Sequence, residues 1–96
     1  MLLSKEDIGV DKLLKESKDE CEIYVAEKDN KVFIIGVYEG RYSKYYFKIS
    51  PAYTGRWDCE ELLYFPFGYY GFCDNESELK NKLREKLKEL EENVLK

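Results

Sequence analysis

The strongest constraint on the fold is an alternation of apolar and polar residues that begins at Cys21. A period of two is typical of β-strands that bury one face. The segments CEIYVAEK and KVFIIGVY flank Asp29-Asn30, a pair that tolerates positive φ and suits a two-residue hairpin turn. A second turn signal, Glu39-Gly40, returns the chain through RYSKYYFKIS. The pattern therefore predicts a three-stranded antiparallel meander.

The two turns also predict how these strands pair. Closing the first hairpin sets Val25 opposite Ile34, and closing the second sets Ile34 opposite Tyr45. Both registers place the same alternate residues on one face, which we expect to be the main core. The predicted core face comprises Cys21, Ile23, Val25, Val32, Ile34, Tyr45, Phe47 and Ile49.

The opposite face of the meander is rich in aromatic rings and bordered by lysines. Its members are predicted to be Tyr24, Phe33, Ile35, Val37, Tyr42 and Tyr46, with Lys28, Lys31, Lys44 and Lys48 around them. Such a face is unlike an ordinary solvated surface. Two interpretations stay open: either a second layer packs across it while the lysines reach over its edge to water, or it binds a partner.

Helices are predicted at both ends of the chain. Ser4 can cap a first turn with Asp7 as the capping-box acid, and Asp11 can restart a helical segment to about Lys18. Asn75 can cap a long C-terminal helix. The apolar stripe of that helix is Leu79, Leu83, Leu87, Leu90 and Val94. We expect the stripe to pack on the sheet, and a homodimer seam is the alternative.

The remaining candidate strands lie between residues 60 and 72. ELLYF has the composition of a strand that Pro66 limits to a sheet edge, and GYYGF that of a further short strand or an irregular hairpin arm. In the aromatic stretch YFPFGYYGF we expect Phe65 and Phe67 to close the core. The tyrosines of the stretch, Tyr64, Tyr69 and Tyr70, are expected at the surface.

Length and pattern together predict one domain. Ninety-six residues, 44 % of them hydrophobic, suffice for a single thin core. We therefore assign residues 1–96 to one α+β domain. It has an antiparallel sheet of four to five strands (the meander 21–50 plus residues 60–72), a short N-terminal helical segment, and a long C-terminal helix packed on the sheet. The longest apolar run is too short for a membrane helix, so no membrane association is expected.

The chain offers little for catalysis or metal binding. It has no histidine, and its three cysteines, Cys21, Cys59 and Cys73, do not have the spacing of a zinc motif. We expect no enzyme, no metal and no cofactor. The odd number of cysteines and the early charges in MLLSKEDI predict a cytoplasmic protein with free thiols. A Cys59–Cys73 disulfide is sterically conceivable but not expected in that compartment.

The kind of partner follows from charge and aromatic content. A net charge of −4 argues against a protein held to nucleic acid or membrane by bulk electrostatics. The excess of tyrosine predicts a small non-catalytic protein, monomeric or dimeric, that binds a protein partner through tyrosine-rich surface. Small accessory and inhibitor proteins of viruses and mobile elements, anti-CRISPR proteins among them, have this character.

Two other functions stay open. Single-stranded nucleic acid on the tyrosine and lysine face is the first alternative. The second is sequestration of a nucleotide-like small molecule in a pocket lined by Trp57 and the rings of residues 64–72, with Arg56 as a further pocket residue. The candidate binding residues for either macromolecular partner are Tyr24, Phe33, Tyr42, Lys44, Tyr46, Lys48, Tyr69 and Tyr70.

Overall fold

One antiparallel sheet organises the molecule. The computed structural model describes residues 3–17, 20–40, 43–51 and 58–94. Within that part of the chain the elements are α1 (Lys5–Ile8), β1 (Lys12–Ser17), β2 (Glu22–Lys28), β3 (Lys31–Glu39), β4 (Tyr45–Pro51), α2 (Cys59–Tyr64), β5 (Tyr69–Cys73) and α3 (Glu76–Val94). The strands form a meander in the order β1-β2-β3-β4-β5. The predicted α+β class, with a short N-terminal helix and a long C-terminal helix, is confirmed.

The first predicted hairpin is confirmed in its register. Strands β2 and β3 pair with Val25 opposite Ile34. The turn residues Asp29 and Asn30 have φ values of 50° and 66°. Positive φ at both positions gives the turn a twist that matches the twist of the strands, which is why this pair closes so short a connection.

The register of the second hairpin differs from the prediction. Ile34 lies opposite Ser50 rather than Tyr45, a displacement of five residues along β4. The reason is that β3 continues through Glu39, which pairs with Tyr45, so that β4 begins further along the chain than a two-residue turn at Glu39-Gly40 would place it. Because the displacement is an odd number, every β4 side chain lies on the other face of the sheet. Tyr45, Phe47 and Ile49 therefore lie in the main core, as predicted, but on the opposite face from the other members of the predicted core face. Those other members, Cys21, Ile23, Val25, Val32 and Ile34, were wrongly predicted to belong to the main core.

The main core lies on the face that carries Tyr24 and Phe33, both fully buried. The sheet contributes Tyr24, Ala26, Phe33, Ile35, Val37, Tyr45, Phe47 and Ile49 to this α3 face. The helix α3 packs across it and buries Leu79, Leu83, Leu87 and Leu90. Coverage by a second layer is thus the correct interpretation for this face. These four leucines are buried against the chain's own sheet, so they are not exposed for a homodimer seam.

The N-terminal segment begins as predicted and then departs from the prediction. Ser4 and Asp7 form the expected capping box at the start of α1. Gly9, with a φ of 69°, ends this helix. In place of a second helical segment, Lys12–Ser17 forms the edge strand β1 and pairs with β2. Asp11 starts the pairing by donating its N–H to a carbonyl of β2.

The second face of the sheet is covered by α2, where the sequence predicted a strand. Asp58 caps this helix by accepting a hydrogen bond from the N–H of Glu61. Leu62 is fully buried and lies directly on Gly36, where a Cβ atom would be 2.7 Å from the leucine Cδ2. A glycine at this position therefore lets the helix approach the sheet. The α2 face also buries Cys21, Ile23, Ile34, Tyr38 and Cys59.

The aromatic stretch YFPFGYYGF spans the end of α2 and most of β5. Its last four residues, YYGF, lie in β5, which is the further short strand that the sequence predicted for GYYGF. Tyr64 and Tyr70 are exposed, as predicted, whereas Tyr69 is half-buried against the main core. Phe65 is half-buried and Phe67 is exposed, so the predicted core position of Phe67 is wrong.

A disulfide between Cys21 and Cys59 ties the start of β2 to the first turn of α2. The expectation of three free thiols is therefore wrong, and only Cys73, which is buried, has a free thiol. The two bonded cysteines are 38 residues apart in the sequence but share the α2 face. Stable disulfides are typical of oxidising compartments and rare in most cytosols.

The disulfide predicts a measurable thiol count and a measurable loss of stability. Denatured but unreduced protein should contain one reactive thiol per chain, and reduced protein three. Breaking the bond should lower the free energy of unfolding by about 3–4 kcal/mol, because it closes a loop of intermediate length. Urea unfolding with and without a dithiol reductant checks this. The Cys73→Ala variant is the control and should keep its response to reductant. Three thiols without reduction would contradict the pairing.

Candidate binding groove

A groove opens on the sheet between α2 and strands β4 and β5. Its lining residues are Gly40, Ser43, Tyr46, Leu63, Tyr64, Tyr70 and Phe72, and its volume is about 330 Å³. We call it the aromatic groove. None of these described lining residues is charged, and four of them carry aromatic rings. A concave surface of this composition is suited to an apolar side chain or ring.

The rings of the groove are placed by strand pairing. Tyr46 lies opposite Phe72 across β4 and β5, and its other neighbour is Tyr38 on β3. The rings of Tyr38 and Tyr46 are stacked, with 4.8 Å between centroids, and those of Tyr46 and Phe72 are 6.2 Å apart. Cross-strand aromatic pairs stabilise a sheet. A continuous row of rings thus runs from the buried part of the α2 face to the β5 edge.

The outer rings of the groove are strongly exposed. Tyr64 is 76 % exposed, Phe72 is 64 % exposed and Tyr70 is 48 % exposed. Single exposed apolar residues are normal on a protein surface, but several adjacent ones mark an interaction site. The adjacent Phe67, on the connection from α2 to β5, extends this exposed apolar surface.

Lys48 lies beneath this surface and is fully buried. Its ammonium donates a hydrogen bond to the carbonyl of Phe65 and lies 4.1 Å from the centroid of the Tyr70 ring. A buried ammonium is tolerated only where its donors are satisfied, and here a carbonyl and a ring face serve this purpose. Lys48 therefore holds the connection between α2 and β5 in place.

The backbone of α2 is fastened to the sheet by two tyrosine hydroxyls. Tyr38 donates to the carbonyl of Cys59 over 2.8 Å, and Tyr70 donates to the carbonyl of Leu63. Burial raises the pKa of the Tyr38 hydroxyl, because an anion there would be poorly solvated. The neighbouring Tyr46, Tyr70 and Asp58 act in the same direction.

The rim of the groove on the α2 side is acidic. Asp58, Glu60 and Glu61 are all exposed in the first part of this short helix. Glu60 precedes Tyr64 by four residues, so the two side chains lie on the same side of the helix. The Glu60 carboxylate is therefore expected near the ring of Tyr64, on the α2 side of the groove.

The structure separates the predicted binding residues into several groups. Tyr46 and Tyr70 line the groove, and Lys48 lies under it. Lys44 is exposed, with its ammonium 5.6 Å from the centroid of the Tyr45 ring. Tyr69 lies on the α3 side, where its ring is 5.2 Å from the ammonium of Lys86. Tyr24 and Phe33 are buried in the core, in agreement with the interpretation in which a second layer packs across their face, so neither is exposed to a partner. Three further predicted residues, Tyr42, Arg56 and Trp57, lie outside the described residues.

The sequence predicted a small-molecule pocket lined by Trp57 and the rings of residues 64–72, which include Tyr64, Tyr70 and Phe72, but it did not connect these rings with Tyr46. It also missed Leu63, whose place depends on α2 being a helix that packs on the sheet.

The described ranges contain no three His, Cys, Asp or Glu side chains grouped to hold a metal ion. No helix among these residues is long and apolar enough to cross a membrane. Comparison of the chain with protein-family models, with curated proteins and with solved structures gave no match. The function must therefore be argued from the groove itself.

Removing the buried ammonium should loosen the floor of the groove. Lys48→Met keeps most of the aliphatic stem but leaves the Phe65 carbonyl without its donor. We expect a loss of about 1–3 kcal/mol in the free energy of unfolding. Faster amide exchange at Phe65, Phe67 and Gly68 should accompany it. Lys44→Met is the matched control, with an expected change within about 0.5 kcal/mol because Lys44 is exposed. Equal effects of the two substitutions would contradict a structural role for Lys48.

The raised pKa of Tyr38 predicts a loss of stability in alkali. The folded state holds the hydroxyl proton more strongly than the unfolded chain, whose tyrosines titrate near pH 10. The stabilisation is therefore complete below pH 10 and is lost as the pH rises toward the folded-state pKa, by up to about 1.4 kcal/mol per pH unit. Tyr38→Phe should show a shallower alkaline decline in urea unfolding, although it is less stable at neutral pH. An identical slope in both proteins would contradict this prediction.

Proposed function

We propose that the chain is a non-catalytic binding protein, with an accessory or inhibitory role, whose partner is another protein held in the aromatic groove. The observation that carries the proposal is the row of adjacent exposed rings, Tyr64, Tyr70 and Phe72, around a concave surface whose described lining residues are uncharged. Tyrosine and phenylalanine are enriched at the centres of protein interfaces, where they bury much area at little entropic cost. A viral or mobile-element origin stays a prediction from composition.

The charges near the groove favour a protein over single-stranded nucleic acid. Phosphate recognition needs accessible cations beside the stacking rings. Lys48 is buried and bonded to a carbonyl, while the α2 rim presents Glu60 and Glu61 to solvent. An acidic rim repels a phosphate backbone and attracts lysine or arginine. The nucleic-acid alternative therefore has the weaker support.

A small-molecule ligand is the remaining alternative, and one observation favours it. The groove volume of about 330 Å³ falls at the lower end of the range for ligand sites. Such a ligand would be apolar and ring-shaped, because the described lining residues include no charged side chain to orient a phosphate. A thermal-shift screen separates this alternative from protein binding.

The disulfide, rather than the chain's composition, is the structural feature that bears on the compartment of the protein. The cytoplasmic setting predicted from the sequence stays a prediction. The Cys21–Cys59 bond favours an oxidising environment or a cytosol in which protein disulfides persist. The partner is then expected in that same environment.

Site-specific photocrosslinking tests the proposal. A benzophenone amino acid replaces Tyr64 in one variant and Leu14 in the control, since Leu14 is equally exposed at 70 % but lies on the far edge strand. In extract of the source organism, Tyr64 should yield a discrete protein adduct that Leu14 does not. With the purified adduct protein, Phe72→Ala should weaken binding about 30-fold, the effect of losing a central aromatic contact.

Three results would contradict the proposal. The first is the same adducts from both positions, and the second is an affinity that Phe72→Ala leaves unchanged. The third is tight binding of a labelled oligothymidine that weakens steeply between about 50 and 200 mM salt, which would favour the nucleic-acid alternative.

A further inference from the structure

The two edge strands of the sheet are protected to different degrees. An edge strand leaves backbone groups unpaired, and natural proteins cover such edges with charged side chains, proline or bulges. On β1, the sequence KLLKES places Lys12, Lys15 and Glu16 along the edge, and Lys15 forms an ion pair of 2.6 Å with Glu22. On β5, the sequence YYGFC has no charged residue. The β5 edge is therefore the one open to another strand.

One side chain from α3 reaches the β5 backbone. The ammonium of Lys82 donates a hydrogen bond of 2.6 Å to the carbonyl of Phe72, and it also pairs with Glu78 at 2.9 Å. The side chains of Lys82 and Glu78 are both partly exposed. Water can therefore replace these contacts at little cost in free energy. The Lys82 contact identifies the carbonyl of Phe72 as accessible to a donor outside the sheet.

The aromatic groove lies beside this same edge. Tyr70 and Phe72 are the alternate β5 residues on the α2 face, and both line the groove. In a strand added next to β5, every second side chain would lie on the α2 face, adjacent to these rings. Backbone hydrogen bonds would then provide affinity, and the groove would provide specificity for one side chain, as in other cases of strand addition.

We propose that the partner is an extended protein segment that adds to β5 as a sixth strand. It inserts a large apolar side chain into the aromatic groove and places a lysine or arginine near Glu60. This rests on the proposed function of the groove and states how the partner is recognised. The segment displaces Lys82 from the Phe72 carbonyl and replaces that hydrogen bond with one from its own backbone.

The charges distinguish such a segment from a second copy of this chain. The β5 strand of a second copy would bring no cation to the acidic rim, because YYGFC has none and Asp74 follows it directly. The chain is also net negative, at −4. Like charges at an interface disfavour association, so a cationic heterologous segment is the better fit.

Selection from a library of displayed ten-residue peptides, against the full-length oxidised protein, tests the proposal. The enriched peptide is then synthesised and its affinity measured by fluorescence anisotropy. We expect an aromatic or large aliphatic residue flanked by lysine or arginine. Methylating its backbone amides one at a time should weaken binding about tenfold or more at alternate residues and little between them, because only alternate amides face β5.

Matched variants of the protein locate the bound peptide. Phe72→Ala should weaken binding about tenfold or more, whereas Leu14→Ala, on the other edge, should not change it. Glu60→Lys should also weaken binding. Lys82→Met should strengthen it severalfold by removing the competing donor, while Lys80→Met on the same helix should have no effect. Unfolding curves confirm that each variant is folded.

The outcomes separate this proposal from the function on which it rests. The first outcome is peptide binding that requires Phe72 and yet is weakened by backbone methylation without any alternation along the peptide. That result would overturn strand addition and leave the proposal of groove binding intact. Peptides indifferent to Phe72→Ala, or no enriched peptide, would overturn both. A third outcome is that the protein dimerises, that Phe72→Ala abolishes the dimer, and that the peptide does not prevent it. This outcome would show that the segment on β5 comes from a second copy of the chain and would overturn the proposal of a heterologous segment.

Discussion

The pairing of β3 with β4 determines where the other parts of the molecule lie. With Val37 opposite Phe47, the large apolar side chains of both strands share one face, and α3 can bury its leucines there. A displacement by one residue would turn Phe47 toward α2 and bring the ammonium of Lys48 under α3, where no carbonyl of the α2 connection could satisfy it. The same register sets Tyr38 beside Tyr46 on the other face. The core and the aromatic groove therefore depend on one set of backbone hydrogen bonds.

The second layer of the protein is small, and it is held mainly by groups other than apolar side chains. A helix of six residues has little stability of its own. The disulfide, the hydroxyls of Tyr38 and Tyr70, and the ammonium of Lys48 fix the backbone of α2 and its connection to β5. These bonds occupy the polar ends of the tyrosines and leave ring faces at the groove. Substitutions of Lys48 or Tyr70 thus change stability and binding together, whereas substitution of the exposed Tyr64 reports on binding.

About half of the candidate site could be predicted from the sequence. Tyr46 and Tyr70 were predicted as binding residues because the chain has more tyrosines than one small core can bury. Tyr24 was assigned wrongly to the same surface, because its face depends on which side α3 covers. Leu63 was missed, and the rings of residues 64–72 were not connected with Tyr46, since their meeting requires that β5 pair with β4 and that α2 be a helix lying across β4. No local pattern contains that information.

The sequence by itself determined the elements whose hydrogen bonds close within a few residues. These are the capped α1, the hairpin at Asp29-Asn30 and the leucine stripe of α3, where capping side chains, positive φ and helical spacing act locally. Tertiary structure decided the rest: the strand β1, the helical state of α2, the β3–β4 register and the Cys21–Cys59 bond. Each of these joins segments that are far apart or ambiguous in pattern, so the choice is made by the burial of whole faces. The face that α3 covers, and hence the rings left exposed, is a result of that burial.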